Sequence, residues 1–515
     1  MTQSRLTRRQ VLQYTAAAGT ALIGGVPFAP AISHAAQRPL ITHGVQSGDV
    51  IADGAVLWSR TDRPARMVAE VATDPDFRDA RRVVGPATLA ENDFTAKLAL
   101  SDLPPGRDIH YRIAFDSLAD PGSLGAPVEG RFRTAPSDRR SVRFVWTGDV
   151  CGQGWGIDPD RGGLAGFEAM RHVRPDFFIH SGDTVYADQP LAAAQAMPDG
   201  GVWRNILTPE KAEVAETLAE FRGNHKYNLM DAALQRFNAE VPILAQWDDH
   251  ETVNNWYPGE KLEGDDRYRV KNASLLAARA NRAFHDFLPL RTPPLAPERI
   301  HRVIPYGPLL DIIFLDLRRF RGPNRAAAGE ARSAILGRRQ LDWLKGALRA
   351  SKARWKVIAA GMPLGLVVPD GADAFEAVAN ADNGPPRGRE REIAELLAFL
   401  KRQDIRNTVW LAADVHYTAA HYYDPNRAAF QDFLPFWEFV SGPIHAGTFG
   451  PNALDATFGP EVKFSKTAGE VKNLPPSAGL QFFGLVEIDG ESAAMTVTLK
   501  DIRERDLYSV TLEPA

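Results

Sequence analysis

The stretch Asp176-Phe-Phe-Ile-His-Ser-Gly-Asp-Thr-Val-Tyr186 carries an apolar run that stops abruptly at polar residues. Such a run reads as a strand buried on both faces, the kind found in parallel sheets. The polar residues then stand beyond its carboxyl end, where open α/β sheets bind their ligands. The same break recurs along the chain. Val142-Arg-Phe-Val-Trp146 leads into Thr147-Gly-Asp149-Val-Cys151, and Val241–Ala245 leads into Trp247-Asp248-Asp249-His250-Glu251. Leu309–Leu315 leads into Asp316-Leu-Arg318, and Thr408–Ala412 leads into Asp414-Val-His416. Five strand ends thus supply carboxylates, a thiol, a phenol, two imidazoles and an arginine, which is the inventory of a site.

Each element alone has a plainer reading. Asp149 suits an Asx turn, Cys151 a small core filler, Tyr186 a rim residue and His416 a hydrogen-bonded interior histidine. The Trp247–Glu251 cluster resists such a reading. Three acids and a histidine within five residues repel one another, and buried carboxylates cost several kcal/mol each unless a cation accompanies them. Ser47-Gly-Asp49 repeats the Ser-Gly-Asp of the second loop. No apolar strand of a β/α unit precedes it, so Asp49 is assigned to the N-terminal domain without a catalytic role.

Outward from these loops, residues 137–515 alternate strands and helices, with one-faced helices over Gly337–Ser351 and Arg389–Gln403. Residues 37–136 differ. Ala55–Trp58, Met67–Val71, Thr95–Leu100 and His110–Phe115 are short β-rich runs separated by turn clusters, which predicts a small all-β sandwich. Residues 1–36 read as a targeting segment: Arg5, Arg8 and Arg9 head a weakly apolar stretch that ends in Ser33-His34-Ala35. The paired Arg8-Arg9 resembles a twin-arginine export signal. The expected destination is periplasmic or secreted, reached through the twin-arginine translocation machinery with no membrane anchor after cleavage.

Length and composition agree with this division. The 515 residues exceed one ordinary core, and 44% hydrophobic with 24% charged residues is the globular average. A disordered, collagen-like or polytopic membrane chain is thereby excluded. The net charge of −4 gives no field that would draw the chain to nucleic acid. A single cysteine, Cys151, rules out an internal disulfide.

Gly182-Asp183-x-x-Tyr186, Asp249-His250-Glu251 and Asp414-x-His416 together resemble the spaced motifs of calcineurin-type metallophosphoesterases. Cys151, Tyr186, Asp249 and Asp414 stand where those families carry His, Asp, Asn and His. These replacements resemble the PhoD family of alkaline phosphatases and phosphodiesterases, as do His43–Asp49, Leu57–Arg60, Leu315-Asp-Leu-Arg318 and Leu336–Gln340. Where the wider superfamily supplies a further histidine, this chain reads Ala360-Gly-Met-Pro363. The resemblance implies a metallophosphoesterase-type β-sandwich flanked by helices (αββα), preceded by a small Ig/fibronectin-III-like domain.

Donor chemistry then sorts the candidates. Cys151, Tyr186, Asp183 and His416 form an anionic set suited to ferric iron. Asp183 would bridge to a second position with Asp249, Asp414 and, as a further candidate, Asp149. That oxygen set suits a hard cation, and calcium is what the resemblance implies. The expectation is one Fe(III) with one or two Ca(II), and attack on phosphorus by metal-bound hydroxide. His250 would protonate the leaving oxygen, while Arg318 and Asn254 would hold phosphate oxygens. The substrate is expected to be a phosphate mono- or diester. The alternative is a non-catalytic exported metal- or phosphate-binding or adhesion protein.

Overall fold

The computed structural model describes residues 38–324, 333–372 and 374–515. The segment read above as a targeting signal lies outside the described residues. The apolar strands Val142–Thr147, Phe177–Ser181 and Ile243–Gln246 are parallel neighbours at the middle of a nine-stranded sheet. Their register is level: Thr147 faces His180, and Ser181 faces Gln246. The three loops that follow therefore leave the sheet side by side.

A second, seven-stranded sheet contains Leu310–Phe314, Trp355–Ala359, Thr408–Ala412 and Phe436–Val440, again parallel. The two sheets pack face to face. Phe144, Trp146, Phe177, Ile179 and Leu244 of the first bury against Ile312, Phe314, Val357 and Leu411 of the second. Phe144 and Phe177 stack at 4.7 Å within that layer.

Helices cover both outer faces. Phe167 and Met170 of Ala165–His172, Phe221 of Leu218–Asn228, Phe237 of Ala232–Glu240 and Phe284 of Ala273–Phe287 bury against Val145, Phe178 and Ala245. On the other face Leu341, Leu344 and Leu348 of Gly337–Ala350, with Ile393, Leu396 and Leu400 of Glu390–Arg402, cover Ile313, Ile358 and Trp410. That helical spacing presents one apolar stripe to the sheet. The result is the four-layer αββα arrangement, and no described helix is long and apolar enough to cross a membrane.

The N-terminal strands form a sandwich with an unforeseen feature. Ala65–Ala72, Arg81–Thr88, Asp108–Ser117 and Val128–Arg133 make a separate antiparallel leaf. The opposing leaf, Ile41–Ile51, Gly54–Thr61 and Thr95–Leu100, is itself the end of the nine-stranded sheet, joined where Gly48 pairs with Ile243. Ser47-Gly-Asp49 thus lies within a strand, where sequence reading placed none. Asp49 is wholly buried and accepts a 2.7 Å hydrogen bond from Arg302 Nη2. Arg302 also donates to Ala245 O at 2.9 Å, and Asp49 Oδ2 accepts from Arg291 N at 2.7 Å.

This pair pins the N-terminal sandwich to the two central sheets. Removing one partner leaves an uncompensated buried charge, a loss of about 3–5 kcal/mol. Asp49→Ala is therefore expected to lower unfolding stability by about that amount, read as a shift in denaturation midpoint at unchanged slope.

Candidate metal centre

The five loops converge on one pole of the sandwich. The nine-stranded sheet brings Asp149, Asp183, Tyr186, Asp249 and His250, and the seven-stranded sheet brings Arg318, Asp414 and His416. Asp149, Asp183, Asp414 and His416 all take left-handed backbone, with φ of 67°, 49°, 68° and 58°. Non-glycine residues in that region cost about 1–3 kcal/mol each and persist only where surrounding structure holds them. The segment after Phe436–Val440 is one such brace: His445 N donates to Asp149 O at 3.1 Å, and Ile444 N to Gly148 O at 3.0 Å. Its Gly447 O accepts from His416 Nδ1, which fixes that imidazole's tautomer and leaves Nε2 facing the site.

Three groups of ligand atoms lie within 4.8 Å of one another here: Asp149, Asp183 and His416; Asp183, Asp249 and His250; Asp248, Asp249 and Asp414. Asp183 belongs to two of them, and Asp249 links to the third. The Tyr186 hydroxyl joins the first group, 2.8 Å from His416 Nε2 and 3.5 Å from Asp149 Oδ1. Glycines make room for these side chains. A Cβ on Gly152 would lie 2.5 Å from the Tyr186 ring, and one on Gly361 would lie 2.6 Å from Asp248 Oδ2. The stretch Ala360-Gly-Met-Pro363 therefore serves as a wall for Asp248 at the place where a further ligand was sought.

The electrostatics are those of a cation site. Burial, reinforced by Asp249 and Glu251, holds Asp183 well above the ordinary carboxylate range. Burial with Asp248 and Asp249 does the same to Asp414. Asp248 is pushed up to about 7 by burial, against the pull of Arg318. Asp249 goes the other way: burial raises it, but Arg318 and His250 bring it below the usual range. Asp149 Oδ2, Asp248 Oδ2 and Asp249 Oδ1 are buried without a hydrogen-bond partner. Unpartnered buried carboxylate oxygens beside an imidazole and a phenol form a donor set that a multivalent cation satisfies.

Cys151 is placed differently from the expectation. It is buried and joins none of the ligand groups; it packs with Val150, Ile157 and Leu164, and burial raises its thiol. Arg318 is likewise enclosed. Its Nε donates to Asp248, its Nη1 donates to Glu376 Oε1 at 2.7 Å, and its Nη2 lies 3.4 Å from Asp249 Oδ1. Asn254 is exposed at the rim, with its backbone N–H donating to Asp188 Oδ2 at 2.9 Å.

Two residues organise this site: Asp188, which sequence reading passed over, and Glu251, which it counted in the acidic cluster without a role of its own. Asp188 accepts from His250 Nδ1 at 2.9 Å, while the His250 ring stacks on Tyr186 with centroids 4.2 Å apart. Burial opposes the imidazolium, but Asp188 and Asp249 overcome it and push His250 up to about 10. The signal was its position two residues beyond Tyr186, which has no meaning until the loop folds back. Glu251 accepts from Thr184 N at 2.6 Å, Thr184 Oγ1 at 2.8 Å and Asp248 N at 2.8 Å. Its oxygens knot two loops together and leave metal binding to its neighbours.

Two packed sheets with a shared carboxylate at their common pole define the metallophosphoesterase class of fold. The chain belongs to the PhoD-like phosphatase family: that family's model matches residues 144–499, and the model of the PhoD-like phosphatase N-terminal domain matches residues 27–136. Alkaline phosphatase D of Bacillus subtilis (strain 168) is 27% identical over 401 residues, covering 73% of this chain and 64% of that relative. The chain thus matches just under two thirds of that relative's length. A solved structure of PhoD superposes with a TM-score of 0.69 at 21% identity, covering 92% of this chain and 89% of that one. Purple acid phosphatase PPD1 from yellow lupin (Lupinus luteus) seeds has a TM-score of 0.55 at 13% identity, covering 93% and 74%. Both show the shared fold.

Because burial and neighbouring carboxylates hold Asp183 and Asp414 well above the ordinary carboxylate range, loading the metal-free protein with a divalent cation is expected to release protons and to weaken as pH falls. Titration calorimetry in two buffers of different ionisation enthalpy checks this.

Proposed function

We propose that this chain is an exported metal-dependent phosphatase that hydrolyses phosphate mono- or diesters at the carboxylate cluster. One observation carries the reading: Asp183 is shared between the Asp149–His416 group and the Asp249–His250 group. A shared carboxylate between two donor sets is the arrangement of two-cation phosphoesterases. Export rests on the Arg8-Arg9 leader. We read the N-terminal sandwich, with leaves of four and three antiparallel strands, as an Ig/fibronectin-III-like domain.

Asp149, Asp183, Tyr186 and His416 would hold one cation, which we assign as Fe(III) from its phenolate, carboxylate and imidazole donors. Asp183, Asp249 and Asp414 would hold Ca(II) through oxygen alone. Cys151 stands outside this donor set. When bound, such cations polarise phosphoryl oxygens and activate water for in-line attack.

The protein's own groups supply the rest. Asp188 holds His250 by Nδ1, which leaves Nε2 to carry the proton for the leaving oxygen. A histidine raised to about 10 is a cation at neutral pH, ready to act as an acid. The Arg318 Nη2 edge, aimed between Asp249 and Asp414, is the group we assign to a phosphoryl oxygen. Asn254, exposed and tied to Asp188 through its backbone N–H, is the residue we assign to the ester group.

Hydrolysis of p-nitrophenyl phosphate and its bis-ester by metal-replete protein tests the reading, and turnover of neither would favour a binding protein. His250→Ala is expected to lower kcat about 10²–10⁴-fold on esters with poor leaving groups and far less on p-nitrophenyl esters. Tyr186→Phe is expected to bleach the visible phenolate-to-iron absorption of the loaded protein; a colourless wild-type enzyme that turns over would remove iron.

A further inference from the structure

Arg318 is an unusual residue to find at 0% exposure, because a free guanidinium in that position would fall onto whichever carboxylate lies nearest. The neighbouring hairpin prevents this. Glu376 N donates to Val368 O and Asp370 N to Ala374 O, both at 2.8 Å, with Pro369 bridged to Phe375. Asp370 accepts from Asn255 Nδ2 at 2.9 Å and from Asn324 Nδ2 at 2.7 Å, so the hairpin is tied to the Asp249 loop on one side and the Arg318 loop on the other. Glu376, 3% exposed, then reaches inward. Its Oε1 accepts from Arg318 Nη1 at 2.7 Å, and its Oε2 accepts from Arg321 Nη2 at 2.9 Å and Asn324 Nδ2 at 2.6 Å.

Arg318 is therefore gripped at two places, Nε by Asp248 and Nη1 by Glu376. Two anchors on a rigid planar group fix its plane. The nitrogen left over, Nη2, is buried without a hydrogen-bond partner and points between Asp249 Oδ1 at 3.4 Å and Asp414 Oδ1 at 3.9 Å. We propose that Glu376 is a positioning residue: together with Asp248 it holds the Arg318 guanidinium so that Nη2 is presented to the phosphoryl oxygens of the substrate. Without that grip Arg318 can turn toward Asp249 and Asp414 and spend its free edge on them. The inference rests on the assignment of Arg318 to substrate contact made above.

The test uses the full metal-loaded chain with p-nitrophenyl phosphate as substrate and inorganic phosphate as inhibitor. Glu376→Gln keeps the shape and loses the charge. KM is expected to rise about tenfold and phosphate inhibition to weaken by a similar factor, while kcat stays within about twofold, as for loss of one charge-assisted contact shared by ground and transition states. In an Arg318→Lys background the same substitution is expected to add nothing, because its effect passes through the guanidinium. An unchanged KM and phosphate inhibition, a fall confined to kcat, or an equal effect in both backgrounds overturns the proposal. If Glu376→Gln does not accumulate folded, Glu376→Asp withdraws the carboxylate while keeping its charge and is read against the same outcomes. Arg318→Lys with unaltered KM and phosphate inhibition would instead remove the assignment of Arg318 itself.

Discussion

Buried negative charge is the constraint around which this molecule is built. Asp149, Asp183, Asp248 and Asp249 are each at most 2% exposed, and Asp414 stands beside them. Two like charges about 4 Å apart cost about 4 kcal/mol at an effective dielectric of 20, and each desolvated ion adds several more. Arg318 and the His250 imidazolium offset part of this repulsion. Their unequal reach splits the carboxylates, drawing Asp249 below the usual carboxylate range while Asp183 and Asp414 are held well above it. A cluster so poised has a strong drive to take up cations, and the drive comes from the fold.

Holding such a cluster requires a rigid frame. The level register of the three parallel strands sets the Gly148, Gly182 and Trp247 loops abreast, and the second sheet delivers Asp414 and His416 from across the core. Four of the candidate donors, Asp149, Asp183, Asp414 and His416, sit in left-handed backbone, a local strain that the His445–Gly447 brace and the Glu251 knot oppose. The same logic extends outward. Asp49 and Arg302 form a buried pair that fastens the N-terminal leaf to the edge strand of the seven-stranded sheet, the sheet that brings Arg318, Asp414 and His416.

Much of this was legible in the residues. The apolar runs marked every parallel strand of the two central sheets save Ile41–Ile51 and Phe436–Val440, and the one-faced leucines of Gly337–Ala350 and Glu390–Arg402 marked two helices correctly. Strands such as Ile41–Ile51 and Thr418–Tyr423 escaped because they mix polar and apolar residues and are buried by context. Helices Leu218–Asn228 and Ala273–Phe287 carried readable caps, Thr217 with Glu220 and Asn272. Their buried Asn224, His225, His285 and Asp286 obscured the apolar stripe.

The kinds of donor, and the strand ends that bear them, follow from sequence alone, since an apolar run that halts at acidic residues is a local signal. Which donors meet is another matter. Tyr186 and His416 are 230 residues apart yet share a 2.8 Å contact, and only the face-to-face packing of the sheets creates it. The same packing sets Cys151 among apolar neighbours, gives His250 its Asp188, and turns Arg318 inward onto Glu376. Residue type decides what a side chain is able to bind; the closure of distant loops around a desolvated pole decides what it does bind.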